Sequence, residues 1–193
     1  MGPEWPVAKA EFERIGLTVE PFQAIVEENR VLAFNKSVYG CMELAKGEDL
    51  FLFEDDVVFD EWTQINPPEG AMTVHLGCNL IGTDVTVWQM PTNSVPKGLA
   101  KLHNCWQSHA TWYSKECVKY ILENFRYVTD EYKTEGCQIF DEWLRVNVLS
   151  MGRSYVMNPM ICYQRPRWSE IWNRDSDYTG CHSQGNDWLK KNL

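Results

Sequence analysis

Three adjacent carboxylates, Glu54, Asp55 and Asp56, are the residues of this 193-residue sequence that most clearly suggest chemistry. They follow the apolar stretch "LFLF" with no lysine or arginine among them. Like charges this close repel one another, so a chain keeps them only at a solvated turn or around a cation. Side chains alternate along an extended chain, which predicts that Glu54 and Asp56 point one way and Asp55 the other. The cluster is therefore either a solvated acidic turn or an E-x-D pair that shares a divalent metal.

The segments that flank this cluster favour an α/β fold. Apolar residues recur at helical spacing over residues 7–15 and 30–46, and Gly16 and Gly47 stand where these two helices should end. "DLFLF" follows without alternation, which is typical of a strand covered on both faces in a parallel sheet. Ligands of open α/β sheets bind beyond the carboxyl ends of the strands, so the acidic cluster lies where a binding site is expected.

The remaining sequence predicts alternating strands and helices in one domain, residues 1–193. The segment 18–26 is rich in strand-forming residues but contains Pro21, so we expect an edge strand that begins the sheet. The polar tail 173–193 should wrap the surface. Further predicted elements are strands at 71–82, 85–90 and 108–113, a loop at 91–98, a helix at 114–125 capped by Ser114, and a helix at 136–150.

Composition and charge exclude several classes of function. The chain has 18 lysines and arginines against 27 acidic residues, a net charge of -9, which argues against a nucleic-acid partner. No apolar run approaches the roughly 20 residues of a transmembrane helix, and the first residues lack the apolar segment of a signal peptide. Seven cysteines without a C-x-x-C pair predict reduced thiols. We therefore expect a soluble, cytoplasmic protein.

Four stretches carry motifs that follow one another along the chain. They are "AEFERIGLTVEPFQAIV", "NKSVYGCMELAKGEDLFLFEDDVVF", "SHATWYSKECVKYIL", and the pair "DEWL" and "YQRPRWSEIW". In this order they resemble an opening helix and strand, an N-x-S-x-x-G-C helix with a strand ending in E-D-D, an H-A-Y-x-x-S segment, and the closing motifs D-x-W-L and Q-x-x-x-x-S-[DE]-I. These are the motifs of glycosyltransferase family 25, which includes bacterial lipopolysaccharide galactosyltransferases and collagen galactosyltransferases.

The resemblance implies an A-type glycosyltransferase fold, Rossmann-like, with a mostly parallel mixed sheet flanked by helices. It also implies a UDP-linked donor, with galactose or glucose as the sugar, and inverting transfer to a glycan or glycoprotein acceptor. A divalent metal, Mn²⁺ or Mg²⁺, would be held by Glu54 and Asp56. Such an ion would stabilise the charge of the diphosphate leaving group, for which this acidic chain has few cations.

The resemblance and the local sequence assign roles to further residues. Inversion needs a carboxylate that takes the proton of the acceptor hydroxyl, and Asp141 of "DEWL" matches the family's aspartate. An aspartate that only favours the helix dipole is the alternative for Asp141. His182, in the polar tail, is a candidate third metal ligand. Candidate donor-binding residues are Asp55, His109, Gln164, Arg165, Arg167 and Ser169. Candidate tryptophan platforms for a sugar ring are Trp62, Trp88, Trp168 and Trp172.

One departure from the family concerns the first strand. The family begins with an apolar strand and an arginine-bearing turn, whereas this sequence opens on a helix. We therefore expect a nucleotide pocket that is open on one side and a donor affinity that is roughly submillimolar at best. Two alternatives remain open: a non-catalytic binder of nucleotide sugars or carbohydrate on the same fold, and a metal-dependent nucleotidyltransferase or phosphodiesterase, because paired carboxylates also suit two-metal phosphate chemistry.

Overall fold

The computed structural model describes residues 4–80, 87–88, 98–126, 139–169, 171 and 173–192 of the chain. The described helices are α1 (Trp5–Arg14), α2 (Arg30–Leu44), α3 (Lys115–Asn124), α4 (Phe140–Asn147) and α5 (Thr179–Asn192). The described strands are β1 (Leu50–Phe53), β2 (Val57–Phe59), β3 (Thr73–Asn79), β4 (Val87–Trp88), β5 (Leu99–Leu102), β6 (Trp106–Tyr113), β7 (Ser154–Met157), β8 (Cys162–Gln164), β9 (Arg167–Ser169) and β10 (Arg174–Ser176). None of these helices combines the length and the apolar character that crossing a bilayer requires.

The main sheet is mixed, with the described strands in the order β1-β6-β3-β7-β5-β4. Strands β3 and β7 run parallel, whereas the other neighbouring pairs in this order run antiparallel. Helices pack against this sheet, so the predicted α/β class is confirmed, but the prediction of a mostly parallel sheet is wrong. The reason is that β6 returns between β1 and β3 and pairs antiparallel with both.

Strand β1 lies at an edge of the described sheet, whereas the prediction was a strand covered on both faces in a parallel sheet. Strand β1 pairs antiparallel with β6, up to Phe53 opposite Ala110. The Phe51 side chain is 39% exposed. The rings of Phe51 and Phe53 stack with centroids 6.0 Å apart, and Trp62 packs edge-on against both. The apolar run therefore reflects an aromatic cluster on an edge strand, and not burial on two faces.

The segment 18–26 forms no strand, so the prediction that the sheet begins there is wrong. Residues 17–27 have no regular secondary structure. Pro21 has no N–H to donate to a strand ladder. The amide of Ile25 donates to Ser37 Oγ of α2 at 2.8 Å instead of to a neighbouring strand. The segment thus runs over α2, and it forms one wall of the cavity beside that helix.

The helix boundaries near the cavity follow local signals. Gly16 and Gly47, with φ of 75° and 94°, lie just beyond α1 and α2 in the left-handed conformation, which confirms their predicted places. The Ser114 hydroxyl accepts a hydrogen bond from Cys117 N at 3.1 Å and caps α3 as predicted. Asn29 caps α2 in the same way. These caps fix where each helix begins and therefore where its inward residues point.

Two buried clusters of apolar side chains cover the two faces of the sheet. Val156 and Met157, which follow one another in β7, belong to different clusters. That division is expected because successive side chains of a strand point to opposite faces. Helices α2, α3, α4 and α5 contribute to the first cluster, and α1 contributes to the second. The first cluster anchors α2 and α4, two of the helices that border the cavity.

The C-terminal tail differs from its prediction, because residues 179–192 form α5. Leu189 of this helix is fully buried, and Gly185 packs so closely that a Cβ there would lie 2.6 Å from Met160 Cε. Asn186 brackets Met160, accepting from its backbone N at 2.7 Å and donating to its O at 3.1 Å. The buried residues of α5 are Gly185 and Leu189, too few to produce a helical apolar pattern in the sequence.

Several other predictions are confirmed within the described residues. The strands expected at 71–82 and 108–113 correspond to β3 and β6, and the helix expected at 136–150 corresponds to α4. The strand expected at 85–90 is described only at 87–88, and the loop 91–97 and residues 136–138 lie outside the described residues. The described cysteines, Cys41, Cys78, Cys105, Cys117, Cys162 and Cys181, all carry free thiols, as predicted.

Candidate functional site

A large cavity lies beside the carboxyl end of β1. Its volume is about 1350 Å³, which exceeds the roughly 300–1,000 Å³ of a typical small-molecule site. Its walls come from the 17–26 segment, α2, the end of β1 and the start of α4. The predicted site residues that line it are Glu54, Asp55, Asp56, Asp141, Gln164, Arg165, Arg167 and Ser169. The structure thus brings most of the predicted polar residues together around one space.

The acidic turn after β1 is held by backbone hydrogen bonds on both sides. Glu54 N donates to His109 O at 2.8 Å, which extends the pairing of β1 with β6. Beyond the turn, Arg165 N donates to Asp56 O at 2.7 Å, next to the ladder of β2 and β8. Because both ends are fixed, the carboxylates of the turn have defined directions.

Asp56 is more buried than Asp55, but all three carboxylates line the cavity and Arg167 contacts both Asp55 and Asp56, so the predicted alternation stays a prediction. Asp56 is 7% exposed, whereas the Asp55 side chain is 51% exposed. Gln164 Nε2 donates to Glu54 Oε2 at 2.8 Å. Asp56 Oδ1 is buried and has no hydrogen-bond partner among the residues that the structure describes. A buried carboxylate oxygen without a donor is costly, so this atom is the natural place for an added ligand or ion.

Burial and repulsion raise the pKa values of the Glu54 and Asp56 carboxyl groups. The pKa of Glu54 lies well above its usual value, first because of burial and then because of the charges on Asp56, Asp141 and Asp55. Burial raises the pKa of Asp56 from 3.8 to about 6, while the guanidinium of Arg167 lowers it. A divalent cation between the two groups would favour their ionised forms, because an opposite charge offsets this repulsion.

Arg167 of β9 is bound to the acidic turn. Its Nη1 lies 2.8 Å from Asp55 Oδ1, and its Nε lies 3.6 Å from Asp56 Oδ2. The guanidinium therefore offsets part of the negative charge that the turn gathers. Phosphate contacts by Arg165 and Arg167 stay a prediction, and any such contact by Arg167 would be made while it also pairs with Asp55.

Asp141 faces the same cavity from the first turn of α4. The Ser108 hydroxyl of β6 donates a hydrogen bond to Asp141 Oδ1. Burial raises the pKa of Asp141 from 3.8 to about 6, and the hydrogen bond from Ser108 lowers it. The charge of Asp141 in turn raises the pKa of Glu54, so the two acidic sites are electrostatically coupled. A carboxyl group with a pKa of about 6 is suited to accept a proton near neutral pH.

Asn35 and Ser108 position Asp141, and sequence reasoning did not identify either of them. Asn35 of α2 is fully buried, and its Oδ1 accepts a hydrogen bond from Phe140 N at 2.9 Å, which fixes the start of α4. In the sequence, Asn35 is recognisable as a polar residue on the apolar stripe of α2. A buried amide at such a position needs hydrogen-bond partners. Ser108 gives no such signal, since its partner lies 33 residues away in the chain.

The two predicted histidines lie outside the cavity lining. His109 is 2% exposed and packs beside Gly77, where a Cβ would lie 2.9 Å from its Nε2. Burial lowers the pKa of His109 to about 3, so the ring is neutral. His109 follows Ser108 in β6, and because Ser108 faces the cavity, alternation turns His109 away from it. The structure therefore does not bring His109 to the predicted donor pocket.

His182 is likewise not placed as a third metal ligand. Its Nε2 lies 2.8 Å from Asp60 Oδ2 and 3.3 Å from Asn186 Nδ2. Asn186 also brackets Met160, so α5 is docked with His182 directed at Asp60 and not at the acidic turn. This docking was not visible in the sequence, where residues 173–193 read as a polar tail.

The tryptophans that line the cavity agree only in part with those predicted as sugar platforms. Trp62 lines the cavity, as expected. Trp168 is 47% exposed but does not line it. Trp172 and the side chain of Trp88 lie outside the described residues. Trp106, which the sequence interpretation did not single out, lines the cavity and is 37% exposed.

Glu54 and Asp56 fit a divalent cation that is shared with a ligand. Among the described residues, no group of three or more histidine, cysteine, aspartate or glutamate side chains is arranged to hold a metal ion. These residues therefore do not form a metal site in which protein side chains supply every ligand. Mg²⁺ is commonly held by one or two carboxylates, with substrate phosphates and water completing its shell. The carboxylates of Glu54 and Asp56, with the unpaired Asp56 Oδ1, meet that requirement.

The raised pKa of Asp56 predicts that the protein loses stability as pH rises from about 4 to about 6. The folded-state pKa of about 6 exceeds the reference value of 3.8, so the folded protein binds this proton more tightly than the unfolded chain does. This advantage is fully present below pH 3.8 and is lost as pH rises to about 6, so at higher pH, where both states are ionised, the charge of Asp56 destabilises the folded protein. At about 1.4 kcal/mol per pKa unit, the cost above pH 7 is at most about 3 kcal/mol.

Replacing Asp56 with asparagine should remove this cost. The Tm of D56N minus the Tm of the wild type should therefore increase by about 5 °C or more from pH 4 to pH 8. Melting curves over this pH range, without metal, measure the effect. Asp175→Asn is the matched control, because Asp175 is exposed and does not line the cavity. A Tm difference that does not change with pH would contradict the assigned environment of Asp56.

Comparison with known proteins does not assign this chain to a family. A scan against the sequence profiles of known protein families finds no match, and a search of curated proteins finds none either. The cavity, its carboxylates and the motif resemblance are therefore the basis for a functional proposal.

Proposed function

We propose that this chain is a metal-dependent glycosyltransferase with an A-type fold. It transfers a hexose, galactose or glucose, from a UDP-linked donor to a hydroxyl of a saccharide or protein acceptor, with inversion at the anomeric carbon. One observation carries the proposal: the Glu54 and Asp56 pair and Asp141 line one cavity and are electrostatically coupled. Such a pair of acidic sites offers the two functions that the reaction needs, diphosphate binding and proton removal.

The donor would bind at the acidic turn. Glu54 and Asp56 would hold a divalent cation, which when bound supplies positive charge for the diphosphate leaving group. Gln164 keeps Glu54 oriented through its hydrogen bond to Oε2 at 2.8 Å. Arg167 lies beside the turn, where it can contact a phosphate oxygen while it stays paired with Asp55. These side chains bind and orient the diphosphate, and none of them needs to exchange a proton.

Asp141 would act as the general base. As the acceptor oxygen attacks the anomeric carbon and the bond from that carbon to the diphosphate oxygen breaks, the hydroxyl proton passes to the Asp141 carboxylate. The hydrogen bond from Ser108 holds one carboxylate oxygen in place and leaves the other for this proton. Because the pKa of Asp141 is about 6, the group is ionised and ready to accept a proton above that pH. A single displacement of this kind inverts the anomeric centre.

Identification of the products tests the proposal. UDP-galactose and UDP-glucose are incubated with the chain, with and without Mn²⁺, and the products are separated by chromatography. A transferase should slowly release free hexose and UDP in the presence of Mn²⁺, because water replaces the acceptor. Release of hexose phosphate and UMP would indicate a nucleotidyltransferase or phosphodiesterase, and no turnover with retained binding would indicate a non-catalytic binder. Either of these two results contradicts the proposal.

A further inference from the structure

A bulge in β6 places three consecutive side chains on the cavity. Trp106, Gln107 and Ser108 all line it, although strict alternation would turn Gln107 to the other face. Gln107 has a φ of 71°, in the left-handed region that a glutamine rarely adopts. The register of β6 with β3 also shifts here, since Trp106 lies opposite Asn79 but Ala110 lies opposite Gly77. Bulges and strained residues of this kind are frequent next to binding sites, where they redirect side chains.

The Trp106 indole is held in place by Arg145 of α4. The guanidinium carbon of Arg145 lies 5.0 Å from the centroid of the ring. Arg145 is itself fixed by two hydrogen bonds to Glu142, at 2.8 and 2.6 Å, and by one to Asn104 at 3.5 Å. This contact fixes the orientation of the indole, while 37% of the residue's surface stays exposed. Trp106 can therefore serve as a rigid platform for a ligand.

The platform and the proposed base belong to the same two elements. Ser108, which donates to Asp141, is two residues from Trp106 in β6. Arg145, which contacts the indole, is four residues from Asp141 in α4, and residues four apart lie on the same side of a helix. Trp106 and Asp141 therefore belong to neighbouring parts of the cavity wall.

We propose that Trp106 and Gln107 form the acceptor subsite and that the acceptor is a saccharide. This inference rests on the proposed transferase function. The indole would stack against the C–H face of the sugar ring, and the Gln107 amide would hydrogen-bond to ring hydroxyls, because an amide both donates and accepts. The stacked sugar would present one hydroxyl to Asp141.

The test measures glycan binding directly, so it does not depend on turnover. The full chain is applied to a printed array of neutral and acidic glycans, with and without UDP and Mn²⁺. We expect the wild type to bind a subset of glycans and Trp106→Ala to lose about 10-fold or more of that signal, with Trp106→Phe retaining part of it. Trp168→Ala is the matched control, because Trp168 is 47% exposed and does not line the cavity.

Two results would overturn the inference: absence of any glycan binding by the wild type, or equal binding by Trp106→Ala and the wild type. If Trp106→Ala fails to fold, Gln107→Ala provides the same comparison. Glycan binding that depends on Trp106 in a chain without donor turnover would support a saccharide subsite at Trp106 but contradict both the transferase proposal and the acceptor role of that subsite.

Discussion

Replacing Asp141 with asparagine should lower turnover by about 10²-fold or more, with less than about a threefold change in UDP-sugar affinity. The asparagine Oδ1 can still accept the hydrogen bond from Ser108, so the side chain should keep its place while losing its capacity to take a proton. Steady-state kinetics with UDP-galactose or UDP-glucose and Mn²⁺ measure kcat, and a calorimetric titration measures donor affinity.

Asp187→Asn is the control for this variant. Asp187 is an exposed residue of α5 and does not line the cavity, so the same chemical change there should leave kcat unaltered. Wild-type turnover in Asp141→Asn would reduce Asp141 to a residue that only favours the start of α4. A parallel loss of donor affinity would place Asp141 at the donor instead of at the acceptor hydroxyl.

Replacing Asp56 with asparagine should abolish metal-dependent nucleotide binding, weakening the affinity for UDP with Mn²⁺ by about 10²-fold or more. Asp56 provides the buried oxygen without a partner and one of the two charges of the Glu54 and Asp56 pair. An asparagine oxygen carries no net charge and binds a hard cation less strongly. The measurement is the thermal shift produced by UDP with Mn²⁺, which reports binding to the folded state.

Loss of folding is not expected to account for this effect, because the raised pKa of Asp56 means that its charge costs stability near neutral pH. Glu54→Gln should weaken binding in the same direction, since Glu54 is the other carboxylate of the pair. Asp175→Asn should retain the full thermal shift. An undiminished shift in both Asp56→Asn and Glu54→Gln would remove the acidic turn from nucleotide binding.

Local signals in the sequence were sufficient for α1, α2, α3 and α4 and for the position of the carboxylates. The predicted cap at Ser114 acts within one turn of α3, so the local pattern carries the information that places the start of this helix. The acidic turn likewise follows directly after the apolar run of β1, so its position depends only on adjacent residues. For this reason the sequence predicted the position of the acidic turn, whereas α5 has too few buried residues to produce a helical pattern.

Long-range pairing was outside the reach of these patterns. The run "LFLF" is compatible with a strand that helices cover on both faces and equally with an edge strand that carries an aromatic cluster. Its partner strand β6, which decides between the two, lies far along the chain. The contact of His182 with Asp60 joins residues 122 positions apart. The platform at Trp106 depends on the bulge at Gln107 and on Arg145 from α4, neither of which has a local signature.

A real-time proton NMR measurement of UDP-galactose and UDP-glucose hydrolysis tests the central claim most directly, because it reports the bond that breaks, the stereochemistry and the metal dependence together. Both donors carry the sugar in an α-linkage, so attack by water in place of the acceptor should release the β-anomer of the hexose first, together with UDP. The reaction should require Mn²⁺ and stop when EDTA is added. Initial release of the α-anomer, formation of hexose 1-phosphate, or an equal rate in EDTA would contradict a metal-dependent inverting transferase built on Glu54, Asp56 and Asp141.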